Sequence, residues 1–547
     1  MMLMPLSKQE PQSFVEAKKE AKKIRDLCKV PAISIGVLHE GKLVLTDSVG
    51  FRDRDAGAEE EPDGDTIYTL CSISKTFVSA ALGILVDQGK MEWDDPVGKY
   101  LPDFQTQGDP TVAEKATFND FLRHTSGLAD PVVTLLGPNG TVLVGKNDLT
   151  NVVNKTPTVD SEGKPYFNNT WKYSNVAYGL LTLVVEKLSG VPYAQFVQDN
   201  ILTPLGMDHT AVSKERVNKW KGNIANSYAQ LSDDSWHKLE HEWTDEENGP
   251  ILGMIGIRSS VNDMLKYCAA VMEANEQDSA KPMDILSTVK NPLKQMNWIL
   301  RDGFWWTRPH EDQFNNTSRF RLAWMEVEMP SCMTSWGSWN QTLGDLAGTD
   351  EDKRIRNANI LGQNSGNRLL YKSVGCGFCG VASVCLFPET RSAVVALSSG
   401  INCGDAADFA ASIYTQELFN LEPKIDIYKL AEREVKERGK EWGKIIKDLD
   451  EHRDTSQAEH DPSEFVGEYC GLGITVSIRL NTATGKMMVR LNKKEKTEQE
   501  LEYYNVDKYS FWPKTRDEWS EAGVVTGFTW VWEEGAEPYL FEKKVCE

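Results

Sequence analysis

The 547-residue sequence contains no uninterrupted apolar run approaching the roughly 18 residues that a membrane-spanning helix needs. Its opening, Met1-Met2-Leu3-Met4-Pro5-Leu6, is too short for a secretory apolar region, so a cytoplasmic location is expected. Positive charge is scarce. Sixty Lys and Arg stand against 81 Asp and Glu, and the formal net charge of −21 repels nucleic acid and anionic membranes, so neither is expected as a partner. Cysteine is modest at ten residues, read as free thiols in a reducing compartment, and histidine is rarer at eight. Cys376-Gly377-Phe378-Cys379 spells C-x-x-C without a second pair at zinc-site spacing. His237-Lys238-Leu239-Glu240-His241 matches H-x-x-E-H, a zinc pattern that needs a helix, but it follows the turn signal Leu231-Ser232-Asp233-Asp234-Ser235 and reads as a solvated hairpin. No metal and no cofactor is expected.

What is present is a globular composition: 40% hydrophobic and 26% charged residues exclude disorder, and the length implies two or three packed units. Phe14, Ala17, Ala21, Ile24 and Cys28 form a helical stripe over residues 10–28. Ala32 to His39 and Lys42 to Gly50 read as a hairpin joined at Glu40-Gly41, and Gly380 to Phe387 with Ser392 to Ser399 as a second pair, followed by a helix over 405–421. Residues 70–300 are mostly helical in pattern. The reading is an α+β fold: one antiparallel sheet built from both ends of residues 1–421, flanked by helices, with a helical lobe inserted and a site between the lobes. Residues 422–460 are charged and helix-forming and read as a linker. Residues 461–547 carry short alternating runs at Ile474 to Leu480, Met487 to Leu491 and Val524 to Trp532, a small β-barrel-like domain.

The chemistry concentrates in Cys71-Ser72-Ile73-Ser74-Lys75, which leads into a run apolar nearly all round, hence a buried helix. Lys75 lies one turn after Ser72 and reaches its hydroxyl, while the helix start offers unpaired N–H groups to a developing oxyanion. Burial lowers the pKa of a lysine there, so that it accepts the serine proton near neutral pH. Alone, S-x-x-K occurs by chance, and Ser72 as a plain helix cap is the competing reading. Tyr173-Ser174-Asn175 stands before a second helix ending at Ser189-Gly190; beside a cationic Lys75, Tyr173 is a candidate base and Asn175 a candidate ligand of both Lys75 and a substrate carbonyl.

These segments, together with His124-Thr125-Ser126-Gly127-Leu128, Pro204-Leu205-Gly206-Met207 and Gly380-Val381-Ala382-Ser383 to Phe387-Pro388, resemble the serine β-lactamase-related hydrolases. The resemblance covers residues 10–421 and is nearest to class C β-lactamases, D,D-peptidases and their related esterases and acyltransferases. It implies a β-lactamase/transpeptidase-like domain with Ser72 as the acylated nucleophile, Lys75 as its proton partner and Tyr173 as general base. The segment from Pro462 to Tyr469 resembles the lipocalin-like domain that follows some of these enzymes.

The family's third motif, Lys-Thr-Gly or His-x-Gly, departs here to Tyr371-Lys372-Ser373-Val374-Gly375-Cys376. Counting back from Pro388 places Ser373-Val374-Gly375 at the motif, with the Cys376 N–H as second oxyanion donor. A one-residue shift places Lys372 there instead, so Lys372, Ser373, Gly375 and Cys376 are all substrate-binding candidates. Losing the motif's cation weakens carboxylate recognition, which favours an ester or thioester of a small molecule, free or carrier-bound, over a β-lactam. The alternatives are a D-amino-acid-specific peptidase or amidase, and a non-catalytic binding protein of the same fold. Trp298, Trp305, Trp306, Trp324, Trp336 and Trp339 fall in an irregular segment expected either to overhang the cleft, favouring bulky apolar substrates, or to fill a core. The sequence leaves the oligomeric state open.

Overall fold

The computed structural model describes residues 12–510 and 542–543, except 55–59, 132–134, 138–140, 221, 231–234, 240–248, 277–282, 287–288, 302–304, 309–317, 333–339, 341–348, 378, 401–402, 441–442, 445–446, 448–449, 455, 457–460, 472–473 and 506–507. The main elements in chain order are α1 (Gln12–Leu27), β1 (Ala32–His39), β2 (Lys42–Gly50), α2 (Ser74–Asp87), α3 (Asn175–Ser189), α4 (Val261–Asn275), β3 (Trp305–Arg308), β4 (Ser318–Phe320), β5 (Met325–Met329), β6 (Arg368–Gly377), β7 (Gly380–Phe387), β8 (Ser392–Ser399), α5 (Ala406–Leu418) and α6 (Ile427–Arg438). The strands make one eight-stranded antiparallel sheet in the order β2-β1-β8-β7-β6-β5-β4-β3, so β1 pairs with the late strand β8 and the sheet joins both ends of residues 32–399.

Side-chain alternation along the strands divides them between two layers. Ile33, Ile35, Val37, Val381, Cys385, Val394 and Ala396 pack into one core with α1, α5 and α6. Ala382, Val384, Leu386, Val395 and Leu397 face the other way, toward α4 and the helical lobe. Gly36 belongs to this second face: a methyl group there would stand 2.9 Å from Leu265 Cδ1, so its absence lets α4 settle on β1. On the first face α1 buries Phe14, Ala17, Ala21 and Ile24 at helical spacing, and the Phe14 ring stacks on Tyr414 of α5 at 5.9 Å.

Within the helical lobe α2 is buried from Ser74 to Leu85, as its all-round apolar sequence requires. Phe77 stacks on Tyr267 of α4 with ring centroids 4.2 Å apart, and the Tyr267 hydroxyl donates to the Thr76 carbonyl at 2.9 Å. These contacts fix the helix that presents Ser72.

Three expectations change. Residues 427–438, read as part of a charged linker, bury Ile427, Leu430 and Ala431 against α1 and α5, because these positions share one helical face. The C-terminal strands β9 (Gly467–Gly471), β10 (Ile474–Leu480), β11 (Met487–Leu491), β12 (Gln499–Glu500) and β13 (Glu542–Lys543) form a sheet in the order β12-β11-β10-β9-β13. Among the described residues that sheet is open rather than a closed barrel, and the expected strand at 524–532 lies outside them. It does not stand apart: Ile474, Val476, Val489 and Leu491 share a core with Leu135, Val142, Leu143 and Val144 of the helical lobe, and Asn492 donates to the Leu143 carbonyl at 2.8 Å. Of the tryptophans, Trp324 is fully buried core, and Trp298 is half-buried with its Nε1 donating to Asn119 at 3.1 Å. The side chains of Trp305, Trp306, Trp336 and Trp339 lie outside the described residues. Trp236–Lys238 is a strand paired with Tyr228–Gln230, not the helix that H-x-x-E-H needs; Glu240 and His241 lie outside the described residues.

Candidate active site

Ser72 sits in a 3₁₀ turn, Cys71–Ile73, at the head of α2. The helix begins without a side-chain cap, so the serine hydroxyl is not spent on capping. Its oxygen meets two other groups. Lys75 Nζ lies 3.2 Å away and the Tyr173 hydroxyl donates to it at 2.9 Å. Lys75, one turn along α2 and 3% exposed, also donates to Asn175 Oδ1 at 2.7 Å and to the Met254 carbonyl at 2.9 Å. Tyr173 and Asn175 come from the start of α3, where Ser174, not Asn175, is the cap, its hydroxyl accepting from the Ala177 N–H at 3.3 Å.

Burial pulls the Lys75 amine down to about 7, with the Asp130 carboxylate working in the opposite sense. Burial likewise pushes the Tyr173 phenol well above its ordinary value, although its hydrogen bond to Ser72 acts in the other direction. This bears on proton direction. Two of the three partners of Lys75, an amide oxygen and a carbonyl oxygen, can only accept. When the amine is neutral, its two hydrogens go to those oxygens and its lone pair faces Ser72.

Three functional groups escaped the sequence reading. Asp130 accepts both the backbone N–H of Asn175, at 2.9 Å, and its side-chain Nδ2, at 2.7 Å. The only sequence signal is an acid two residues beyond Leu128. His124, quoted only as part of a landmark, is fully buried, accepts the Ser174 N–H on Nδ1 at 3.1 Å and lies against the Tyr173 ring at 4.3 Å. Burial drives its pKa well down and keeps the imidazole neutral. The Met254 carbonyl has no side-chain signature at all.

The third motif resolves by strand parity. Lys372 is buried on the α5 side of the sheet, ion-paired with Asp408 and 1% exposed. This corrects its candidacy as a substrate ligand: a side chain on that face points away from Ser72. Tyr371 packs on the helical-lobe side, so Ser373 and Gly375, at alternate positions, share that side. A methyl group at Gly375 would lie 2.0 Å from the Leu70 carbonyl oxygen and 3.2 Å from Cys71 Cβ, so only glycine lets β6 reach the turn that carries Ser72. The Cys376 side chain turns to the opposite core, leaving its backbone as the part available to the site.

Residues 20–400 match the Beta-lactamase family model. The chain is 30% identical over 323 residues to penicillin-binding protein 4* of Bacillus subtilis (strain 168), covering 58% of this chain and 68% of that protein. It is 28% identical over 190 residues to a putative D-alanyl-D-alanine carboxypeptidase of Escherichia coli (strain K12), but spans only 43% of that protein. Two solved structures share the fold. The octameric penicillin-binding protein homologue from Pyrococcus abyssi matches with a TM-score of 0.52 and 18% identity over 92% of this chain and 94% of that one. A class C β-lactamase from Rhodobacter sphaeroides matches with a TM-score of 0.51 and 20% identity over 74% of this chain and 99% of that one.

Proposed function

Because this chain belongs to the Beta-lactamase family of serine hydrolases, we propose that it forms an acyl-enzyme on Ser72 from an ester or thioester and passes the acyl group to water or another alcohol. The observation that carries the reading is the convergence of Lys75 and Tyr173 on one hydroxyl that caps nothing. Neutral Lys75 takes the Ser72 proton as Oγ attacks the carbonyl carbon. Collapse of the tetrahedral intermediate breaks the bond to the leaving group, to which the Tyr173 O–H supplies a proton that Lys75 then replaces. Deacylation runs the same transfers backward, with water or an alcohol in place of the leaving group. In acylation the base is therefore Lys75 and Tyr173, held protonated by burial, is the acid; in deacylation Tyr173 gives its proton to Lys75 and takes that of the attacking water or alcohol, the base role that the family resemblance implies. The backbone N–H groups of Ser72 and Cys376 are the proposed oxyanion donors, with Ser373 at the cleft wall.

An ester or thioester is favoured over a carboxylate-bearing β-lactam or peptide because Ser373 is uncharged and the neighbouring cation, Lys372, is neutralised behind the sheet. Trp171 and Phe320, 5.6 Å apart beside His124 and Tyr173, support a bulky apolar group on the substrate. Similarity to the putative D-alanyl-D-alanine carboxypeptidase of Escherichia coli favours a second reading, a peptidase acting on D-amino-acid ends. A panel of esters, thioesters and D-alanyl peptides, with mass spectrometry of the trapped adduct, separates the two. Fluorophosphonate should label wild type on Ser72 and leave Ser72→Ala unlabelled, and turnover should survive chelators. Labelling on a different serine would sink the assignment, and a wild-type protein that neither labels nor turns over any substrate would be a binding protein of this fold.

A further inference from the structure

Asparagine amides have two orientations that differ by exchanging oxygen and nitrogen, and their neighbours decide between them. At Asn175 one neighbour is a carboxylate, which only accepts, and the other is an amine, which at Nζ donates. We propose that Asp130 is a positioning residue for the chemistry at Ser72, holding Asn175 with its amide oxygen toward Lys75 and placing a negative charge one amide group away from that amine. This deepens the serine-hydrolase reading and rests on it.

The geometry is specific. Asp130 Oδ1 accepts the N–H at the first residue of α3, one of the donors that a helix start leaves unpaired, and Oδ2 accepts the side-chain Nδ2 of the same residue. The adjoining Ala129 carbonyl accepts the Ser174 hydroxyl at 3.3 Å, so residues 129–130 are stitched to the start of α3 by three hydrogen bonds. Reversing the Asn175 amide would set its oxygen against the carboxylate and its NH₂ against Lys75, two repulsive contacts in place of two attractive ones.

Charge acts in the same direction. Among the described residues, the titratable groups around Lys75 are Tyr173 and Tyr178, whose rings it overlies, the buried His124, Cys71 and Asp130. Burial holds both phenols well above their ordinary values and the imidazole below, and the hydrogen bond with Cys379, followed by burial, raises the Cys71 thiol, which keeps all four neutral. Among these groups Asp130 carries the countercharge to a protonated Lys75. Removing it takes away the main opposition to burial at Lys75, which favours the neutral amine at lower pH.

The test is Asp130→Asn in the full chain, with Asp130→Glu as the conservative variant. In Asp130→Asn, the pH limb of fluorophosphonate inactivation and of kcat/KM should move about one unit toward acid, the scale expected for losing an opposite charge nearby. The plateau of kcat/KM should fall about tenfold to a hundredfold while KM changes less, and Asp130→Glu should restore most of the limb position. The Lys75 titration, followed by NMR of isotope-labelled lysine in the Ser72→Ala background and assigned by its loss in Lys75→Met, should shift in the same direction without any turnover. An inactive wild type with a shifted Lys75 titration would overturn the hydrolase reading and leave the Asp130 assignment standing. An unmoved titration would overturn the Asp130 assignment, whether the rate falls or not, because a merely structural residue lowers the rate without moving Lys75.

Discussion

On the mechanism proposed above, the Ser72 proton passes to Lys75. When that amine is neutral its lone pair faces the hydroxyl, because its other partners, Asn175 Oδ1 and the Met254 carbonyl, both demand hydrogens. A base must be unprotonated to work, and burial brings Lys75 to about 7, so kcat/KM should climb as pH rises through about 7 and level off above it. A flat profile between pH 5 and 9 would be incompatible with this role. Lys75→Ala and Tyr173→Phe should each slow turnover on the order of 10²–10⁴-fold, with non-additive effects in the double variant. They differ in the profile: Tyr173→Phe keeps the limb near its original position, while Lys75→Ala abolishes it. The principal residues were legible because S-x-x-K and Tyr-x-Asn each tie a reactive group to a helix start. Asp130 was not, because a carboxylate that works through another side chain leaves no spacing of its own, and the Met254 contribution is a backbone oxygen, which any residue supplies.

At the scale of elements, β6 shows where sequence reading runs out. A sheet with one wet face announces its register by alternating polar and apolar residues, but this sheet is covered by helices on both sides, and Lys372 and Ser373 are polar neighbours buried on opposite faces. Hydropathy is silent about which of them meets the cleft. The consequence is a pair of contrasting variants. Lys372→Met strands the Asp408 carboxylate in the core and should cost about 3–5 kcal/mol of stability, read by thermal or denaturant unfolding, with KM unchanged in the folded protein. Pairing it with Asp408→Leu should recover much of that loss. Gly375→Ala should do the reverse: a β-carbon against the Leu70 carbonyl pushes the strand off the Ser72 turn, so activity falls at least tenfold with a smaller loss of stability. Equal effects of Lys372→Met and Gly375→Ala on KM would contradict the parity assignment. The paired hairpins and α1 were readable in advance because their apolar spacing is long and regular, whereas α6 was read as linker because three buried apolar side chains among many charges are a thin signal.

For the whole molecule, the packing of β10 and β11 on the helical lobe alters what truncation should do. The charged stretch before residue 461 suggests a separable domain, but Ile474, Val476, Val489 and Leu491 share a core with Leu135 and Val142 to Val144, and Asn492 and Lys494 donate to the Leu143 and Val142 carbonyls. Ending the chain at residue 460 therefore exposes apolar surface on the lobe, and the fragment should bind a hydrophobic dye, unfold at lower temperature and aggregate more readily than the full chain. A fragment as stable and soluble as the full chain would show that this shared core contributes little.

The route of the chain between these contacts has a mechanical meaning. Helix α6 is fastened to the outer side of the sheet, one wall of the cleft, and β10 and β11 are fastened to the helical lobe, the other wall. The covalent chain between α6 and β9 therefore joins an element packed on one wall to a sheet packed on the other, so a movement that parted the walls would also part these two anchors. Residues that no substrate touches then share in the cost of opening.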